Sequence, residues 1–235
     1  MWSRAGTGSA GAALAALGFA LGGVAAERGA LAALTRQISD VGFATTETSS
    51  LPALIGLPAW LVILIALVGL GGLLWRLRLP LPASTPGRWG WPVAGAIIGL
   101  LGVGAWVSGS RAGWNWGLSI TGPSRSLLEA GLLGSPESFS WGAVMLIGIP
   151  LGSWASARLR GPIAWRSPAP AALPRRFLGG VLMGAGGTLA GGCNIGNALT
   201  GLSILSVHSL IATAAIAAGG VLGVRVSAWR DPAPP

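Results

Sequence analysis

The sequence contains no lysine and few charged residues of any kind. Charged residues make up 9% of its 235 residues, whereas they make up about 25% of an ordinary soluble domain. So few charges cannot supply the polar coat that a soluble globular protein needs. Because 52% of the residues are hydrophobic, we predict an integral membrane protein in contact with the lipid bilayer, and we predict that it is not an enzyme.

Cysteine and histidine each occur only once. A single cysteine excludes a disulfide framework within the chain, and one histidine without thiolate or carboxylate partners at suitable spacing does not make a metal site. We therefore predict no metal, no cofactor and no catalytic residues. Glycine is abundant, with 40 residues, which is typical of helices that pack backbone to backbone in lipid.

The net charge of +9 comes entirely from arginine. The arginines do not form the basic stripe that binds nucleic acid, so we expect no nucleic-acid partner. They lie between apolar runs, where an excess of basic residues marks the cytoplasmic side. With a cytoplasmic N-terminus and six crossings, 11 arginines lie inside and 4 outside. We therefore predict a multi-pass protein of a bacterial-type inner (plasma) membrane with both termini in the cytoplasm.

Six apolar segments approach the length of about 20 residues that crosses a bilayer. They cover residues 9–27, 52–75, 91–108, 139–157, 176–192 and 207–224. The predicted fold is an all-α polytopic membrane bundle of about six spanning helices. It forms a single integral membrane domain over residues 1–235.

Three other stretches, 28–40, 114–133 and 191–205, are too short to cross and too apolar to be ordinary loops. We interpret them as re-entrant or broken helices, which occur at membrane depth only where protein buries them or where they line a cavity. Transporters place their binding sites in such segments. These stretches are therefore the first places to search for a function.

A weak internal repeat accompanies this pattern, with a long helix followed by a short segment in each half. The matching residues at an offset of 161 are Gly18, Leu21 and Gly23 with Gly179, Leu182 and Gly184. Duplication of this kind is common in transporters. The repeat predicts halves at residues 9–110 and 111–224.

The stretch 186–203 contains six glycines around the only cysteine. Glycine lets the backbone turn sharply or approach a solute closely. A helix restarting near Asn194 would direct unpaired N–H groups towards an anion beside Cys193, and neutral polar side chains would add hydrogen bonds without burying a fixed charge. The candidate substrate-binding residues are Gly192, Cys193, Asn194, Asn197, Thr200 and Ser203.

The same residues also fit a purely structural role. A lone cysteine in a glycine-rich helix is usually a small apolar residue that fills a gap. The spacing of Gly187 and Gly191 is also that of a tight helix crossing. His208 likewise fits either a helix start at the interface or a proton or substrate contact. Spacing alone does not decide between these alternatives.

Residues 189–203, which read Leu-Ala-Gly-Gly-Cys-Asn-Ile-Gly and onwards, resemble the Gly-Gly-Cys-x-x-Gly signature of the YeeE/YedE family of sulfur-compound transporters. Weaker similarities lie at 27–36 and 114–119. The resemblance implies thiosulfate uptake in which the sulfur anion passes along several cysteines by S–H···S contacts. This chain has Ala32 where the family's early motif has cysteine, so only one thiol of that relay is present.

The resulting hypothesis is a membrane transporter for a small sulfur-containing anion such as thiosulfate, with Cys193 contacting the substrate sulfur. A small cytoplasmic sulfur-carrier protein is a further expected partner. Two alternatives remain open. One is a non-transporting membrane subunit, and the other is a membrane protein that handles sulfur or redox chemistry through its thiol.

Overall fold

The computed structural model describes residues 1–41, 50–77, 89–134 and 139–230. Its ten α-helices within those ranges are α1 Trp2–Gly6, α2 Ala10–Glu27, α3 Ala32–Val41, α4 Leu51–Ile55, α5 Ala59–Leu77, α6 Trp91–Arg111, α7 Thr121–Leu133, α8 Trp141–Arg160, α9 Leu173–Leu189 and α10 Val207–Arg230. A short 3-10 helix, Pro170–Ala172, precedes α9. A π-helical segment, Ile195–Gly201, lies between α9 and α10.

The fold is an all-α membrane bundle, as the sequence predicts. Four helices, α2, α6, α8 and α10, are long and apolar enough to cross a bilayer. The other two predicted spans correspond to α5 and to the 17-residue α9. The stretches predicted to be short or broken contain α3, α7 and the π-helical segment. Short helices therefore lie between the long ones at several points of the described part of the chain.

The predicted span 52–75 is wrong at its start. Helix α4 ends after one turn, because Gly56 adopts a left-handed conformation with φ of 72° and caps it. Pro58 follows two residues later, and its ring is compatible only with the beginning of the next helix. The long helix of this stretch, α5, therefore begins at Ala59.

The centre of the bundle is the crossing of α2 and α9. Four glycines there face backbone carbonyl oxygens of the opposite helix so closely that a Cβ atom would overlap them. The pairs are Gly18 with Phe177, Gly22 with Val181, Gly180 with Ala15, and Gly184 with Phe19. Only glycine permits this approach. Side chains are excluded from the contact, so the two backbones touch directly.

The contacts between α2 and α9 are reciprocal when each α2 position is matched with the α9 position 162 residues later, so that 15 corresponds to 177 and 18 to 180. Residues 15 and 18 contact 180 and 177, and residues 19 and 22 contact 184 and 181. This register differs by one residue from the offset of 161 that the sequence matches indicate. It pairs Cys193 with Leu31 instead of Ala32. The division into repeat halves stays a prediction.

The helices α2 and α9 also run parallel. Along α2, Gly11, Ala15 and Phe19 contact positions that advance along α9 in the same order, namely Arg176, Gly180 and Gly184. Parallel neighbours require an odd number of crossings by the chain between the end of the first helix and the start of the second. This requirement is met if α5, α6 and α8 each cross once, because α9 is then the fifth crossing and has the direction of the first.

A small apolar core lies beside this crossing. Its buried members are Phe19, Ile120 and Leu146, from α2, the start of α7 and α8. Cys193, Leu127 and Ile195 pack against it while remaining partly exposed. The core thus joins the α2–α9 pair to both irregular regions of the chain.

Two crossed ion pairs hold α7 against the end of α2. Glu27 pairs with Arg125, and Arg28 pairs with Glu129 at an N···O distance of 3.4 Å. Burial lowers the pKa of the Arg125 guanidinium, while the charge of Glu129 acts in the opposite direction. Charges that are partly withdrawn from water are favourable only when paired. The reciprocal arrangement therefore fixes the position of α7 along α2.

The outer helices expose apolar side chains. Only 11% of the apolar window is buried in α6 and in α10, against 50% in α2. Leu100, Val103 and Val224 are each more than 60% exposed. Apolar side chains on this scale are unfavourable in water and suited to lipid. These two helices therefore present lipid-facing surfaces.

Candidate functional site

The chain turns sharply between α9 and the π-helical segment, and Cys193 lies at this turn. Gly191 adopts φ of 63°, a left-handed conformation that favours glycine. The amide of Gly192 donates to the Gly187 carbonyl at 2.8 Å, and the amide of Gly191 donates to Thr188 at 3.1 Å. These bonds close the end of α9. Cys193 is the first residue beyond them and precedes the restarted helix.

Asn197 holds this turn in place. It is 1% exposed, and its side-chain amide donates to the carbonyls of Gly192 at 2.7 Å and Ala190 at 3.1 Å. Its carbonyl oxygen accepts a hydrogen bond from the Ser209 hydroxyl at 3.1 Å. Both donor hydrogens of Asn197 are therefore committed to the backbone on either side of Gly191.

The start of α10 completes this support. His208 Nε2 lies 3.1 Å from the Ala190 carbonyl oxygen and donates to it in the tautomer that carries the proton on Nε2. A Cβ atom at Gly191 would lie 2.6 Å from the same nitrogen. His208 therefore packs directly on the turn, which gives this residue a structural role at the helix start.

Cys193 itself is partly buried. One side of it packs against the apolar core of Phe19, Ile120 and Leu146. Its Cα atom also lies 3.8 Å from the position that a Cβ atom on Gly187 would occupy. The same position is 3.3 Å from the hydroxyl oxygen of Thr121. Residues from α9, α7 and the turn thus meet where Gly187 lacks a side chain.

The other predicted residues fall into two groups. Gly192 is buried, and a Cβ atom there would lie 3.2 Å from the Asn197 amide nitrogen. Thr200 is buried and donates to the Leu118 carbonyl at 2.6 Å. Asn194 and Ser203 are exposed, and the Ser203 hydroxyl donates to Thr200 at 2.6 Å. The structure brings Gly192, Cys193 and Asn197 together and places Thr200 and Ser203 further along the segment.

The irregular stretch before α7 packs on the π-helical segment. A Cβ atom at Gly196 would lie 3.4 Å from the Ser119 hydroxyl and 3.9 Å from the Trp116 indole nitrogen. Trp116 also packs on Trp106, with ring centroids 6.4 Å apart. The two regions that the sequence marks as broken helices are therefore neighbours. Neither Ser119 nor Thr121 was predicted from the sequence, although these two polar residues on either side of Ile120, within an apolar stretch, are a usable signal.

A cavity of about 450 Å³ lies elsewhere, between α1 and the end of α8. Its polar lining comes from Thr7, Ser153, Ser156 and Arg160. None of the six predicted binding residues lines it. The Cys193 turn is therefore not part of this cavity.

Comparison with known proteins agrees with the resemblance at the turn. The sulphur transport family matches residues 1–222, which includes every described helix except the end of α10. The chain belongs to the sulphur transport family. Its family is one of transporters rather than enzymes, in agreement with the prediction from composition.

Two named relatives share this similarity. The thiosulfate transporter TsuA of Escherichia coli (strain K12) is 30% identical over 200 residues, which are 79% of this chain and 56% of that protein. The TsuA of Spirochaeta thermophila is 32% identical over 143 residues, which are 60% of this chain and 42% of that protein. The chain therefore spans about half the length of the relatives it matches.

Proposed function

We propose that this protein takes up a small sulfur-containing anion such as thiosulfate, and that Cys193 contacts the sulfur of the substrate. Family membership supports the substrate class, and the two relatives are named thiosulfate transporters. The observation that carries the role of Cys193 is its position at a glycine turn between two broken-helix regions, where transporters bind their substrates.

The proposed contact uses the thiol as a neutral hydrogen-bond donor. A thiol S–H donates weakly to a sulfur or oxygen acceptor, and it needs no fixed charge at membrane depth, where charges are costly. No covalent bond forms. Asn197 contributes by holding the carbonyls on both sides of the turn, so Cys193 stays in one orientation. Gly192 and Asn194 flank Cys193 along the chain. Thr200 continues the site along the π-helical segment, and Ser203 follows just beyond its end.

The proposal places both termini in the cytoplasm of a bacterial-type inner membrane. The arginine distribution supports this orientation. The parallel packing of α2 and α9 supports three crossings between them, by α5, α6 and α8. A small cytoplasmic sulfur-carrier protein would receive the anion, and copurification of such a protein with the transporter would support this step.

Two variants test the role of Cys193. We expect cells or proteoliposomes with the native chain to accumulate labelled thiosulfate, and Cys193→Ala to lose about 90% or more of that uptake, since a lost substrate hydrogen bond lowers affinity about 10-fold. Met183→Leu, an exposed position on α9, is the matched control and should transport normally. Equal uptake by native protein and Cys193→Ala would remove Cys193 from the mechanism.

The same assay separates the alternative of a non-transporting membrane subunit, which Ala32 in place of the family's cysteine favours. Absence of uptake by the native chain, with thiosulfate transport restored by a copurifying membrane protein, would support that alternative. A thiol redox role is less favourable, because the sequence has no second cysteine to resolve an oxidised thiol.

A further inference from the structure

Thr121 carries a buried hydroxyl that the fold does not use. The residue is 4% exposed, and its Oγ1 has no hydrogen-bond partner within the described part of the chain. A buried polar group without a partner is rare and costs stability. The contacts within the fold therefore do not explain why Thr121 has a polar atom at this position.

Neighbouring hydroxyls behave differently. Ser124, one turn further along α7, is 1% exposed and donates to the Ile120 carbonyl at 2.6 Å. Thr200 donates to the Leu118 carbonyl at 2.6 Å. Both are satisfied by backbone atoms close at hand. Of these three hydroxyls, only that of Thr121 lacks a hydrogen-bond partner, although five other buried side-chain polar atoms of the described residues, among them Thr213 Oγ1, lack one as well.

That position borders Cys193. The hydroxyl oxygen of Thr121 lies 3.3 Å from where a Cβ atom on Gly187 would be, and the Cα atom of Cys193 lies 3.8 Å from the same point. Gly187 is buried and has no side chain. The hydroxyl and the thiol-bearing residue therefore both border one small space, the site of the missing Gly187 side chain.

The chemistry of this space suits an oxyanion. A hydroxyl donates readily to an anionic oxygen, and it does so without a fixed charge at membrane depth. Thr121 is also the first residue of α7, whose first turn has no acidic residue and no side-chain cap. The first turn of α7 therefore has no acidic side chain that would repel an anion or accept hydrogen bonds from the backbone N–H groups of that turn.

We propose that the Thr121 hydroxyl binds an oxygen of the anion whose sulfur contacts Cys193. The inference rests on the proposed function, since it needs a substrate at the thiol. It makes recognition two-sided: the thiol of Cys193 contacts the terminal sulfur, and Thr121 donates to the oxygen-bearing end. An anion that has both a terminal sulfur and oxygens, as thiosulfate has, satisfies both contacts at once.

The single cysteine makes a direct test available. The purified native chain is treated with a maleimide, and the rate of Cys193 modification is measured with and without thiosulfate. We expect thiosulfate to protect the native thiol. In Thr121→Val, which removes the hydroxyl and keeps the branched shape, we expect an unchanged rate without thiosulfate and about 10-fold more thiosulfate for half protection.

Three controls fix the interpretation. Thr121→Ser keeps the hydroxyl and should restore protection, while Ser124→Ala removes a satisfied hydroxyl from the same helix and should behave as the native chain. Gly187→Ala fills the space between the two residues and should abolish protection, whereas Gly186→Ala, with no atom within 4 Å of its added methyl, should not. An altered maleimide rate without thiosulfate in Thr121→Val would show a disturbed turn and would overturn the binding role.

The outcomes separate the two proposals. If thiosulfate fails to protect the native thiol, the proposed contact with Cys193 is wrong. If it protects the native chain and Thr121→Val equally, the contact with Cys193 stands and the role of Thr121 is overturned. Equal loss of protection in Thr121→Val and Thr121→Ser would also overturn it, because the serine retains the donor.

Discussion

At the scale of single residues, Asn197 determines the geometry of the turn. Its amide group bridges the carbonyls of Ala190 and Gly192, and its oxygen accepts from Ser209. One side chain therefore joins the end of α9, the π-helical segment and the start of α10. In a low-dielectric interior, a fully satisfied network of this kind is rigid, and losing one member leaves several buried groups unpaired.

We predict that Asn197→Ala lowers the free energy of unfolding by about 2–4 kcal/mol, because three hydrogen bonds are lost and their buried partners remain. Thermal unfolding of the purified protein in detergent measures this effect, with maleimide reactivity of Cys193 as a second readout of the turn. The exposed Asn194→Ala is the matched control and should leave the unfolding midpoint unchanged. An unchanged midpoint for Asn197→Ala would mean that the network contributes little.

At the scale of elements, the α2–α9 crossing depends on glycines that meet backbone atoms. Gly184 lies against the Phe19 carbonyl, while Gly179, on the exposed face of the same helix, has no atom within 4 Å of its added methyl. The two positions differ only in what they face. They therefore separate the effect of packing from the effect of helix propensity.

We predict that Gly184→Ala destabilises the protein by about 1–3 kcal/mol or more, since the helices must separate to admit the methyl group. Gly179→Ala should be neutral or slightly stabilising, because alanine is the better helix former. Unfolding midpoints of the two variants in the same detergent provide the measurement. A similar loss of stability in both would show that helix propensity, and not the crossing, sets the outcome.

The sequence predicts the helices better than it predicts their contacts. Hydropathy places the long helices to within a few residues, because bilayer thickness fixes their length. It misplaces the start of the second span, where Gly56 and Pro58 interrupt an apolar run. The glycine motif identifies Cys193 and Asn197, since both lie in one local stretch. The sequence does not predict Thr121 as a candidate residue, because its proximity to Gly187 arises from packing between elements 66 positions apart in the numbering.

At the scale of the whole molecule, charge and packing are both compatible with the proposed topology of six crossings. The excess of arginine on one side and the parallel direction of α2 and α9 both fit crossings by α2, α5, α6, α8, α9 and α10. In this topology the start of α1 faces the cytoplasm. The connection after α6 faces the opposite side.

We predict opposite labelling of two engineered cysteines in a Cys193→Ala background. Ser3→Cys should react with a membrane-impermeant maleimide only after the inner membrane is permeabilised, whereas Ala112→Cys should react in intact spheroplasts. Both residues are exposed, so access through the membrane decides the result. Labelling of both from the same side would contradict the proposed topology.

The backbone-to-backbone contact at the centre also limits where the protein can move. Where the four glycines face backbone carbonyls, no side chain lies between the helices that could change rotamer and allow a second arrangement. We therefore expect α2 and α9 to keep one position relative to each other. Movement during the proposed transport would then have to come from helices outside this pair, such as α6, because the start of α10 is itself bonded to the Cys193 turn through His208 and Ser209.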